Sequence, residues 1–116
     1  MAIVAFAALA GAALAADDPM ADTYTNTVVA TDAAGAKTMV YYNADGSYTG
    51  VAPDGVKIGG TWKREAGKIC YNRTTPPERA AQFCGADDGV ARHIGDSWPQ
   101  ELSDGRKMTM TIVKGR

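Results

Sequence analysis

Glycine-bearing turn signals punctuate this chain at short intervals: Ala34-Gly35, Asp45-Gly46, Asp54-Gly55, Ala66-Gly67, Asp88-Gly89 and Asp104-Gly105. Between them lie stretches rich in β-branched and aromatic residues, with room only for strands of roughly 5–8 residues. Such spacing predicts an all-β fold, a single antiparallel barrel or sandwich of seven to eight short strands. It constrains architecture strongly and chemistry hardly at all.

The strands read as residues 23–31 (TYTNTVVAT), 37–43 (KTMVYYN), 47–52 (SYTGVA), 56–65, 68–72 (KICYN), 90–94 (VARHI), 98–102 and 107–113 (KMTMTIV). In the last of these, Met108, Met110 and Ile112 fall on one face and Thr109 and Thr111 on the other, as a half-buried strand requires. Val56, Ile58 and Trp62 share a face in the same way, and Gly59-Gly60 between them predicts a bulge or sharp bend. Pro99 assigns its strand to an edge. Asn43-Ala44-Asp45-Gly46 fits a type I turn closed by a left-handed glycine. One stretch breaks the rhythm. Thr75-Pro76-Pro77-Glu78 resembles a capping box with proline in the first helical positions, so one short helical turn is expected near residues 76–82, delivering Cys84 toward Cys70.

Residues 1–16 (MAIVAFAALAGAALAA) form one uncharged apolar block. It is shorter than the ~20 residues a bilayer span needs. Ala13-Leu14-Ala15 suits cleavage by signal peptidase before Ala16, which makes residues 1–15 a signal peptide, 16–22 a flexible lead and 23–116 the β-domain. No Lys or Arg precedes the apolar run, which points to a start upstream of Met1. A periplasmic or secreted location follows, with no membrane span after cleavage. In an exported chain the two cysteines are expected to bond, and Cys70 and Cys84 are the available pair. Twelve basic residues against 13 acidic ones give a net charge of −1, and the basic residues of the second half are interleaved with acids. That balance excludes nucleic acid as a partner, since its binding is driven by phosphate neutralisation.

No catalytic, cofactor or metal motif stands out. His93 is the single histidine, and Ser47, Ser97 and Ser103 all lie outside nucleophile-elbow contexts. One histidine and two bonded cysteines leave too few ligands for zinc. Residues 41–52 match a calcium loop only in their middle, with Tyr41 and Ala52 in place of its end ligands. The residues of interest are aromatic. Adjacent Tyr41 and Tyr42 must point to opposite faces of one strand, so a binding surface is expected among Tyr41, Tyr42, Trp62, Tyr71 and His93.

The run Tyr42-Asn43-Ala44-Asp45-Gly46-Ser47-Tyr48-Thr49-Gly50, followed by Gly60-Thr61-Trp62-Lys63 and Ile69-Cys70-Tyr71, resembles small exported bacterial β-domains of unknown function across residues 40–72. The Gly60-Thr61-Trp62 element is also similar to the G-x-W motif of lipocalin-like barrels, which implies a carrier of a small apolar ligand. In size, strand content and single disulfide the chain resembles small exported bacterial inhibitors of metalloproteases. That resemblance implies an inhibitory tail over residues 17–22. The expected function is an exported, non-catalytic binding or envelope-associated module without cofactor, whose partner is a protein or a small molecule. The alternatives are a secreted protease inhibitor and a carrier of a small apolar ligand.

Overall fold

Five of the six glycine-bearing turns close β-hairpins, and the sixth lies in the longest connection. The computed structural model describes residues 18–116, so the expected signal peptide over 1–15 lies outside the described residues. The strands are β1 (Thr27–Thr31), β2 (Lys37–Tyr42), β3 (Ser47–Val51), β4 (Lys57–Glu65), β5 (Lys68–Thr75), β6 (Ala81–Ala86), β7 (Ser97–Glu101) and β8 (Lys107–Val113). All pair antiparallel in one sheet of order β6-β5-β4-β3-β2-β1-β8-β7. Because β8 returns beside β1, the sheet curls until its two outer strands meet at a Gly85–Leu102 bridge. The result is a nearly closed eight-stranded barrel, not two stacked sheets.

Turn chemistry fixes the hairpins. At the β2–β3 turn the Gly46 amide donates to the Asn43 carbonyl (3.1 Å), and Gly46 has φ +90°, a conformation costly for any residue with a Cβ. The Asp45 carboxylate accepts from the Ser47 amide (2.9 Å) and hydroxyl (2.6 Å). Asp32, Asp54 and Asp104 accept backbone amides two residues ahead in the same manner. These aspartates build turns, and the fragment of calcium-loop pattern at 43–46 is explained by that geometry.

Alternation then fills the interior. Val28 on β1 and Ile112 on β8 face each other in register and are 1% exposed. Met110 is buried and Met108 half-buried on the same face of β8. The register of β4 against β5 shifts between Gly59 and Gly60, where a bulge was expected. Pro99 falls on β7, the terminal strand in the sheet order.

Three sequence expectations are refined in detail. The helical turn near 76–82 is one 3-10 turn, Pro77–Arg79, whose N-cap is Pro76 and which no side chain caps. Residues 81 and 82 belong instead to β6, because pairing with β5 (Arg73↔Ala81, Asn72↔Gln82, Tyr71↔Phe83) satisfies their backbone and packs Phe83 inward. Residues 90–94 are not a strand. They lie in the β6–β7 connection, where Val90 and Ile94 are about half exposed and bury too little to hold an edge. The first strand begins at Thr27, with a 3-10 turn over Ala21–Thr23 before it.

The antiparallel meander sorts its connections to two ends. The β1–β2, β3–β4, β5–β6 and β7–β8 connections make one end, here the upper end. The β2–β3, β4–β5 and β6–β7 connections make the lower end. The lower end is plugged: Thr23 and Asn26 are buried and Met20 packs against the core. Gly115 donates to the Asn26 side chain (2.8 Å), and the Arg116 guanidinium reaches the Asn26 carbonyl (3.0 Å), the Asn43 side chain (3.1 Å) and the Tyr42 carbonyl.

Candidate functional site

The aromatic residues form a continuous interior cluster. Trp62 meets Tyr42 edge-on (centroids 5.6 Å), Tyr42 adjoins Tyr71 (6.2 Å), Tyr71 stacks on Phe83 (5.1 Å) and meets Tyr48 edge-on (5.7 Å). Such contacts each contribute about 0.5–1.5 kcal/mol beyond area burial. The Tyr42 and Tyr71 hydroxyls hydrogen-bond each other at 2.6 Å. Burial pushes the Tyr42 phenol up to about 12 despite that bond, and holds Tyr71 well above the ordinary tyrosine value, with the neighbouring Tyr42 adding to the rise. Trp62 is anchored by its indole N–H to the Asn43 (3.1 Å) and Ser47 (3.0 Å) carbonyls.

The five residues expected to share a surface are therefore placed separately. Tyr42, Tyr71 and Trp62 are brought together inside the barrel. Tyr41 points outward beneath the Arg116 guanidinium (5.7 Å to the ring centroid). His93 is exposed at the lower end, where Nδ1 lies 2.9 Å from the Asp22 carboxylate. The three serine hydroxyls bond elsewhere: Ser47 with Asp45, Ser97 with Thr111 (2.8 Å) and Ser103 with the Cys84 amide (3.0 Å). None of them contacts His93. Among the described residues no group of three His, Cys, Asp or Glu side chains is placed to hold a metal ion.

Cys70 and Cys84 are bonded, directly opposite each other on β5 and β6. The disulfide ties β6 to its neighbour at the seam, where the Ser103 amide donates to the Cys84 carbonyl (2.7 Å) and closes the barrel. Gly85 makes that approach possible. A Cβ there would lie 2.7 Å from Cδ of Gln100 on β7.

The upper end holds a cavity of about 80 Å³. Its wall is mainly apolar, from Val40, Ile58, Leu102, Met108 and Met110, and its polar side chains include Arg73, Arg106, Tyr48, Gln100 and Thr38. Tyr48, Gly60 and Arg73 form one row across β3, β4 and β5, and Gly50 sits beside Val40 and Ile58. Close backbone approach requires both glycines: a Cβ at Gly60 would clash with the Asn72 carbonyl oxygen, and one at Gly50 with that of Met39. Arg73 and Arg106 both lie over Phe83, at 5.6 and 5.5 Å from its centroid. Arg106 is paired with Asp104 (2.8 Å). Arg73 donates from Nε to the Arg79 carbonyl (2.7 Å) and forms no ion pair among the described residues.

Tyr48 and Arg73 were not among the five residues singled out from the sequence. Tyr48 sits in a turn-flanking D-G-x-Y pattern that marks a hairpin, and Arg73 is one of ten basic residues in a mixed-charge half. Only the β3–β4–β5 register joins them, and that register contains a bulge. No protein-family model, curated protein or solved structure matches this chain, so the reading of its function rests on these residues alone.

Proposed function

We propose that this chain is an exported, non-catalytic binding module that carries a small ligand in the upper end of its barrel. The observation that carries the reading is the mainly apolar 80 Å³ cavity at that end, while the opposite end is plugged. Small barrels normally fill their interiors with side chains, so a cavity left at one end favours a ligand over packing. The leader-like block at residues 1–16 and the disulfide support export to an oxidising compartment. No helix among the described residues is long and apolar enough to cross a membrane.

The carrier reading is favoured over protease inhibition by a tail. Residues 18–23 fold against the barrel, with Tyr24 donating to Asp18 (2.7 Å), Met20 on the core and Thr23 buried. Native mass spectrometry of protein taken from its own envelope tests the proposal. A bound small-molecule mass released by mild activation supports it, and only the apo mass across preparations contradicts it.

A further inference from the structure

Two of the polar side chains that border the upper cavity, Tyr48 and Arg73, share a row of the sheet. Tyr48 is 3% exposed, and its hydroxyl is the one buried side-chain polar atom without a hydrogen-bond partner among the described residues. Unpaired buried hydroxyls are rare because they forfeit their hydration without compensation. Its row-mate Arg73 is half-buried and forms no ion pair among the described residues. Gly60 lies between the two in register. Burial raises the Tyr48 phenol above its ordinary value while the Arg73 charge pulls it back, which places the guanidinium within electrostatic reach of the hydroxyl.

We infer that the upper cavity is a site for a small aliphatic monocarboxylate, its carboxylate held between the Arg73 guanidinium and the Tyr48 hydroxyl and its carbon chain packed against Val40, Met108 and Met110. This rests on the carrier reading and specifies the ligand class. Guanidinium and phenol are both donors, so the acceptor they jointly fit is an anion. Thr38, Gln100 and Arg106 also line the cavity, so the choice of a carboxylate over a larger anion rests on the volume. One uncompensated cation matches one negative charge. The 80 Å³ volume is roughly half that of the ~150 Å³ cavity known to admit benzene, which limits the enclosed portion to about three or four heavy atoms.

Isothermal calorimetry on the full oxidised protein, with butyrate as probe and n-butanol as its uncharged counterpart, tests the inference. The expected result is saturable butyrate binding, with butanol weaker by about tenfold or more, the loss of a charge-assisted contact. Tyr48→Phe and Arg73→Gln each weaken butyrate by about tenfold while leaving butanol unchanged. Retained butanol binding and thermal unfolding separate a lost contact from a lost fold. Equal affinity for butyrate and butanol overturns the carboxylate assignment while leaving the apolar carrier intact. Butyrate binding untouched by both substitutions places it at another arginine and overturns the site. No binding of butyrate by folded wild-type protein overturns the inference, whatever mass the native protein carries.

Discussion

Three buried tyrosines occupy one barrel interior, and their hydroxyls should respond oppositely to deletion. Tyr71→Phe removes the 2.6 Å hydroxyl–hydroxyl bond and leaves the Tyr42 oxygen unpartnered at a residue 2% exposed. A buried hydroxyl left unmade costs about 1–3 kcal/mol. In a domain of this size each kcal/mol shifts Tm by roughly 4–8 °C, so a loss near 2 kcal/mol lowers Tm by roughly 8–16 °C. Tyr42→Phe costs a similar amount by the same route. The double substitution orphans neither oxygen, so its cost falls short of the sum of the two singles. Tyr48→Phe deletes a hydroxyl that has no partner to lose, so the apo protein keeps its stability or gains up to ~1 kcal/mol. Urea unfolding followed by circular dichroism, with the slope m unchanged across variants, measures all four. A loss for Tyr48→Phe as large as that for Tyr71→Phe refutes the reasoning, as does a strictly additive double variant.

Three further outcomes follow from the fold. Tyr42, with a folded-state pKa of about 12, and Tyr71, well above 10, ionise near 10 once unfolded. Their folded pKa values are raised, so their contribution is complete below about pH 10 and is lost as pH rises through about 12. The phenolate absorbance of Tyr42 and Tyr71 should therefore appear together with loss of the far-ultraviolet β signal, and reversible ionisation of all five tyrosines near pH 10 in an intact barrel contradicts this. Reducing the Cys70–Cys84 bond releases a loop of about fifteen residues and should cost roughly 3 kcal/mol, read as a fall in Tm in reductant, against no change if the strand pairing alone holds β6. Gly85→Ala drives a Cβ toward Gln100 and should destabilise the seam by about 1–3 kcal/mol, with faster exchange of the Ser103 amide; unchanged exchange there removes Gly85 from the closure.

How much of this was legible in the sequence depended on whether the information was local. Hairpins were legible, because an aspartate two residues before an amide and a glycine at positive φ specify a turn within four residues. The bulge at Gly59/Gly60 and the edge position of Pro99 were legible for the same reason, and the bonded cysteines because the sequence offers one pair. The strand at Ala81–Ala86 was not, since its alanines and glutamine favour a helix locally and only pairing with β5 overrides them. The second strand edge that residues 90–94 would need is likewise a property of the closed sheet. Of the expected surface, the opposite orientation of Tyr41 and Tyr42 was readable from the period of a strand. That Tyr48 and Arg73 lie in one row was not, because it depends on two successive registers with a bulge between them.

The most direct test of the upper cavity as the binding site is a butyrate titration of the uniformly labelled, oxidised protein followed by amide and methionine-methyl NMR. Saturable shifts should concentrate at Tyr48, Ile58, Arg73, Met108 and Met110, the residues that line the upper end. Shifts gathered instead around Tyr41 and Arg116, or around His93 at the lower end, with Met108 and Met110 unmoved, would contradict the account.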